Sequence, residues 1–292
     1  MENSTAKISC FARAYHFGNN KVHIYADEYA EALLGSEYKQ ITESLKQGIQ
    51  FFIPDFNGND DEGLRIIVDN QLSPSVLGRS AFCEKKLENE EKLGCRQYLI
   101  FASGYDTFSF GNNASDLSVF ELDRPQVLED KKTRAKKAGL KFSSVCIPCD
   151  LLDNSWKNQL LKRGFCSEGK SFSSLLGISY YLKKTEFTGL LNSISEIICK
   201  GSAICFDYPS TDGGKEARTN QALAQEAGEP MKANYTYSEL EKMLEKCGFV
   251  IYEHLDFDEM TEQFFSEYNK NNPAHMMNAP SGVCYVLAVK AV

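Results

Sequence analysis

The stretch Gln97-Tyr98-Leu99-Ile100-Phe101-Ala102-Ser103-Gly104-Tyr105-Asp106-Thr107 sets a short apolar run against a turn of small residues. A run of that length, bounded by a turn, reads as a buried strand. The small residues let backbone approach a ligand closely, and Gly104 can take a positive φ. The turn by itself reads equally well as an ordinary tight turn. It is neither G-x-G-x-x-G nor a phosphate-binding loop with its helix-opening lysine.

Six further runs follow it: Leu117–Leu122, Ser144–Pro148, Ser173–Ile178, Ser202–Tyr208, Phe249–Leu255 and Val283–Lys290. Helical patterns at Pro125–Gly139, Trp156–Gly164, Lys184–Cys199 and Ser238–Gly248 separate most of them. Strand alternating with helix predicts an α/β fold with a doubly wound, mostly parallel seven-stranded sheet covered on both faces. No comparable helix separates the last two runs, which leaves room for a reversed final strand. Upstream, Ala26–Leu34, Leu64–Asn70 and Val76–Glu90 read as helices, with Gly35 as a stop. Ser210–Tyr235 is a long polar insertion, either a lid or a solvated excursion. The expected organisation is one domain over 1–292. Residues 1–90 form a helical cap, 91–209 the ligand-binding core, 210–237 an inserted lid, and 238–292 the last helix and strands.

The chain has 292 residues, 42% of them apolar, which suffices for one large α/β domain. No apolar run of about 20 residues occurs, and the start lacks an apolar signal core, so a cytoplasmic protein with no membrane partner is expected. A net charge of −8 argues against a nucleic-acid partner. Of the ten cysteines, several sit in strand-like runs, where cysteine packs as a small hydrophobe. Cys146-Ile-Pro-Cys149 ends a strand rather than opening a helix, which disfavours a redox pair. His16, His23, His254 and His275 show no ligand spacing, so no metal site is expected.

In open α/β sheets ligands bind beyond the carboxyl ends of the strands. Asp123 follows the second run, about 20 residues after the small-residue turn. It can accept from both ribose hydroxyls, or be a solvated carboxylate or a helix N-cap before Pro125. Asp150-Leu151 follows the third. There a carboxylate can accept from an adenine amino group while a backbone N–H faces a ring nitrogen, or it too is an N-cap. Three such features at three successive strand ends favour an adenosine-containing ligand. Arg79 offers a fork for a carboxylate, or a surface salt bridge with Glu84 or another acid.

The order Leu77-Gly78-Arg79-Ser80, Gln97–Thr107, Phe120-Glu121-Leu122-Asp123-Arg124-Pro125 with Lys131, Cys149-Asp150-Leu151 with Trp156, Gly177–Leu182 and Gly201–Tyr208 resembles the leucine carboxyl methyltransferase family. That family includes tetracenomycin-type polyketide O-methyltransferases. The similarity runs from about Phe11 to Tyr208, and Phe11-Ala12-Arg13-Ala14 and Ala26-Asp27-Glu28-Tyr29-Ala30 resemble the helices of its bacterial branch.

The resemblance implies a Rossmann-like methyltransferase fold, S-adenosylmethionine as donor with S-adenosylhomocysteine as product, and an oxygen acceptor. Carried over, Arg79 holds the methionyl carboxylate, and Ala102, Ser103 and Gly104 form the turn beneath the donor. Asp123 binds ribose, and Asp150 with the Leu151 backbone binds adenine. Three positions depart from the pattern: Ala102 replaces a glycine, Phe108 an arginine, and Leu176 a glutamate that lies near the methionyl amino group in the family.

A carboxylate acceptor is ionised at neutral pH and needs no general base, whereas a hydroxyl does. Tyr180, Tyr181 and His254 are the candidate bases, with Tyr181 taken forward. The expected activity is O-methylation of a small-molecule carboxylate or hydroxyl by a monomer or homodimer. The alternatives are a protein C-terminal carboxyl methyltransferase and a binding protein without turnover. A nicotinamide dehydrogenase fits poorly, because the turn lacks the glycines that pack a pyrophosphate.

Overall fold

The computed structural model describes residues 4–111, 116–211 and 232–291. Seven strands form one sheet in the order β3-β2-β1-β4-β5-β7-β6. They are β1 (Gln97–Phe101), β2 (Ser118–Asp123), β3 (Val145–Pro148), β4 (Ser171–Leu175), β5 (Ala203–Pro209), β6 (Phe249–Leu255) and β7 (Val283–Lys290). β7 inserts between β5 and β6 and runs antiparallel to both, while the other pairs are parallel. The final strand is therefore reversed. The strand order changes direction between β1 and β4, which is the switch point at which such sheets hold ligands.

Alternation along each strand divides the core between the two faces. Leu99 and Phe101 of β1 join Phe120, Leu122, Trp156, Phe187 and Leu191 on one side. Tyr98 and Ile100 join Leu77, Phe82, Leu87 and Phe172 on the other. The helix Ser73–Lys92, with Pro74 in its first turn, thus packs on the sheet, and Arg79 comes from its middle. A third cluster joins the helix Ser4–Asn19 to Tyr105 and Phe110, which follow β1.

Three sequence expectations need correction. The fourth strand is Ser171–Leu175 rather than Ser173–Ile178, so Leu176 opens a turn and does not extend the strand. A helical segment does separate the last two strands. It runs as Phe257–Met260, a π-turn at Thr261–Phe265, and Ser266–Asn271. The helix expected from Ala26 begins at Ala30, because Asp27 turns the chain by accepting the N–H groups of Tyr29 and Ala30. Most of the Ser210–Tyr235 insertion lies outside the described residues. Its flanks close on each other through a Ser210–Tyr235 bridge, and the Thr211 N–H donates to Tyr235 O. Among the described residues no helix is long and apolar enough to cross a membrane.

Candidate active site

A cavity of about 610 Å³ opens beyond the carboxyl ends of β1 to β4. Arg79, Ala102, Ser103, Gly104, Asp123, Asp150, Leu151, Leu176 and Tyr181 all line it. The sequence marks eight of these nine as donor-binding and one as a candidate base; the fold brings them together from segments spread over about a hundred residues.

At the β2 edge, Asp123 is nearly buried. Its Oδ2 accepts the Gly104 N–H at 2.7 Å and its Oδ1 accepts the Arg124 N–H at 2.7 Å. It is not an N-cap, because Arg124 precedes the helix Pro125–Lys137 and no side chain caps it. Burial pushes the Asp123 carboxyl above its ordinary value, and the two N–H groups pull it back. Asp150 accepts the Leu152 N–H at 2.9 Å in its own turn. The next helix starts only at Ser155, so Asp150 caps nothing and stays exposed at the cavity rim. Both carboxylates retain free acceptor positions toward the cavity.

The turn after β1 is under conformational load. Gly104 takes φ +50°, and a Cβ there would stand 3.4 Å from Ala6 Cβ. Ala102 takes φ +52°, a left-handed backbone that costs a residue with a Cβ about 1–2 kcal/mol. Ser103 is buried and its Oγ has no hydrogen-bond partner. A ligand polar atom would relieve it.

Arg79 forms no ion pair with Glu84. Its Nη2 donates to Ser9 Oγ at 3.4 Å, and its Nη1 stands 3.8 Å from Asp207 Oδ2. Its guanidinium lies directly on Gly177, where an added Cβ would meet Nη1 at 2.4 Å. Gly177 (φ +68°) donates its N–H to Asp207 Oδ1 at 2.7 Å, and Tyr180 donates its hydroxyl to Oδ2 at 2.7 Å. Asp207 therefore anchors the β4 turn while biasing Arg79, and one guanidinium edge remains for an anion in the cavity.

Beneath the site, Glu121 and Lys131 form an ion pair with both side chains fully buried. Ser109 and Ser144 donate to the other carboxylate oxygen of Glu121 at 3.0 and 2.8 Å. Asp27 forms a second hub. Its Oδ2 accepts Arg13 Nε and Thr107 Oγ1, each at 2.7 Å, and Arg13 Nη2 donates to Tyr105 O at 2.7 Å. This hub fastens the Ser4–Asn19 helix to the turn after β1, so Thr5, Ala6, Ser9 and Arg13 become cavity wall.

A leucine carboxyl methyltransferase family model matches residues 6–195. YktD of Bacillus subtilis (strain 168), named as an S-adenosyl-L-methionine-dependent methyltransferase, is 37% identical over 98% of this chain and 97% of its own length. The chain belongs to the leucine carboxyl methyltransferase family. It is a methyltransferase that depends on S-adenosylmethionine. The fold agrees. The solved structure of a protein described as a methyltransferase of Thermobifida fusca superposes with a TM-score of 0.57 at 14% identity, over 98% of this chain and 94% of that one. A DUF574 family protein of Streptomyces avermitilis gives 0.58 at 14% identity, over 84% and 96%.

In this methyltransferase, two of the three candidate bases stand outside the cavity. Tyr180 is committed to Asp207, and its hydroxyl is held well above its ordinary value by burial and by that carboxylate. His254 pairs with Tyr208 at 2.9 Å, and burial lowers its pKa. Tyr181 does line the cavity. Phe108 does not: it stacks edge-on against Tyr98, with ring centroids 5.1 Å apart. Sequence reading assigned no role to Ser9, Arg13, Asp106 or Lys232, which also line the wall. Arg13 lay within a quoted run and Asp106 within the turn itself, but no spacing rule joins a residue near position 10 to one near 105.

Proposed function

We propose that this enzyme transfers a methyl group from S-adenosylmethionine to an oxygen of a small molecule, either a carboxylate or a hydroxyl. The observation that carries the reading is the cavity: its edges offer acceptors at β2 and β3, and a guanidinium edge at β4, around one shared space.

The residues present fit the donor. Asp123 accepts from the ribose hydroxyls, and Asp150 with the Leu151 backbone addresses adenine. Arg79 forks onto the methionyl carboxylate, with the small Gly177 making room for it. Ala102, Ser103 and Gly104 form the floor, and the orphaned Ser103 Oγ supplies a donor there. Leu176 contributes an apolar wall. When bound, the cofactor supplies a methyl group already activated on a sulfonium sulfur. The protein has to hold acceptor oxygen, methyl carbon and sulfur in line, and such positioning is worth roughly 7–11 kcal/mol. The Ser4–Asn19 helix closes one side of the cavity. The described part of residues 1–90, through the Ser4–Asn19 helix, serves as a cap around the acceptor in one domain with the donor core; most of 210–237, read from sequence as a lid, lies outside the described residues.

The occupation of Tyr180 and His254 elsewhere favours an acceptor that is already ionised. A carboxylate presents an oxygen anion at neutral pH without a base. Tyr181, at the cavity wall, serves to orient it.

The test is release of S-adenosylhomocysteine from the donor in the presence of carboxylic acids, phenols, polyketides, and a peptide with its C-terminus free or amidated. Turnover on a small acid or hydroxyl compound is expected. Turnover confined to the peptide with a free terminus would assign the protein-terminus activity instead. Tight product binding beside silence on every acceptor would favour the binding protein.

A further inference from the structure

Three carboxylates line the cavity, and the nucleoside accounts for only two of them. The third, Asp106, belongs to the turn after β1. Its Oδ1 accepts the Phe108 N–H at 2.9 Å, and its own N–H donates to Ser103 O at 2.8 Å. Both bonds are local to the turn. Asp106 has no ion-pair partner among the described residues, and it stands half-buried in the cavity wall. A half-buried carboxylate with no direct ion pair can take a bound cation as its partner. Burial indeed raises its pKa, with Lys131 and Arg13 only partly opposing this.

The Ser4–Asn19 helix relates Asp106 to Arg79. Ser9 Oγ accepts from Arg79, and Arg13, one turn further along the same helix face, donates to the carbonyl of Tyr105, the neighbour of Asp106. Four helical residues rise about 6 Å. A guanidinium and a carboxylate thus flank one short stretch of cavity wall, with a serine hydroxyl beside the guanidinium. That is a complement to an α-amino-acid head group, which carries an anion and a cation on one carbon. On the β4 side the wall is Leu176, which brings no charge.

We propose that Asp106 binds the α-ammonium group of the donor, pairing with Arg79 to hold the methionyl tail as a zwitterion. This rests on the reading of the cavity as the donor site. Asp106 is a binding residue and takes no proton from the acceptor.

Calorimetry on the whole protein tests it with three probes: S-adenosylhomocysteine, its deaminated analogue 5′-S-(3-carboxypropyl)-5′-thioadenosine, and 5′-methylthioadenosine. The unaltered protein should bind S-adenosylhomocysteine at least about tenfold more tightly than the deaminated analogue, as loss of a charge-assisted bond implies. Asp106→Asn retains the acceptor for Phe108. It should weaken S-adenosylhomocysteine by about the same factor and leave the other two probes within about twofold. Asp106→Glu should keep part of the discrimination. Equal loss for S-adenosylhomocysteine and the deaminated analogue, or unchanged affinity for both, overturns the assignment. So does discrimination present in Asp106→Asn and absent from Asp106→Glu. A lower turnover with all three affinities intact would also overturn it and mark Asp106 as an acceptor-side base. Failure of the unaltered protein to bind either S-adenosylhomocysteine or 5′-methylthioadenosine would instead remove the donor-site reading beneath it.

Discussion

At the β2 and β3 edges of the cavity, Asp123 and Asp150 come from the strand ends themselves, and each is fixed by backbone N–H groups no more than 19 residues away. At the β4 edge, Arg79, Gly177, Tyr180 and Asp207 come from three separate elements, and Ser9 from a fourth. The first arrangement is local and stands on a buried ion pair. The second is assembled across the fold and depends on the N-terminal helix staying docked. A local edge tolerates tertiary change that an assembled edge does not, so the two should respond differently to substitution.

The largest effect should follow from the support under the local edge. Lys131→Met leaves Glu121 charged and buried, which should cost about 3–5 kcal/mol in urea unfolding. Replacing both partners with apolar residues should recover most of that loss. Equal stability of the single and double variants would mean that the pair is not a unit.

Acid should act on the other edge. His16, on the helix that walls the assembled side, accepts the Ile24 N–H at 3.0 Å and is fully buried, which lowers its pKa to about 3. The unfolded chain therefore binds a proton below about pH 6.5 that the folded chain refuses. Stability is complete above that value and falls as pH drops from about 6.5 toward 3, by about 1.4 kcal/mol per pH unit from this group. Urea unfolding across that range should show the slope, reduced in His16→Gln.

Tyr180→Phe removes one of the donors to Asp207 and should cost about 1–3 kcal/mol. Because Asp207 holds the β4 turn, it should also weaken S-adenosylhomocysteine more than 5′-methylthioadenosine. Equal weakening of both would erase the distinction between the edges. The smallest effect belongs to the shared floor. Ala102→Gly relieves φ +52° but loosens the unfolded chain, for a net gain of about 0.5–1 kcal/mol in thermal or urea unfolding.

The same contrast explains what was legible in the sequence. Strand ends follow from apolar runs, so Ala102–Gly104, Asp123 and Asp150 were located by counting along the chain. The β4 boundary slipped because Ser171, Ser173 and Ser174 are buried within the strand, and polarity is no guide where hydroxyls face inward. The apolar pair Leu175-Leu176 drew the reading forward. The helical segment after β6 was missed because its π-turn shifts the apolar spacing at Thr261–Phe265. Arg79 is singled out through resemblance, whereas its partners Ser9, Gly177 and Asp207 lie far away in the chain. Nothing in the local pattern announces that Tyr180 is spent on Asp207 or that Arg13 and Thr107 meet at Asp27.

The central claim is that this cavity binds the donor through both edges. Calorimetric titration of S-adenosylhomocysteine into the unaltered protein, Asp123→Ala and Arg79→Met tests it most directly. One site per chain is expected, weakened at least about tenfold in each variant while thermal melting still shows a folded protein. Unaltered affinity in both variants, or no binding to the unaltered protein, would contradict it.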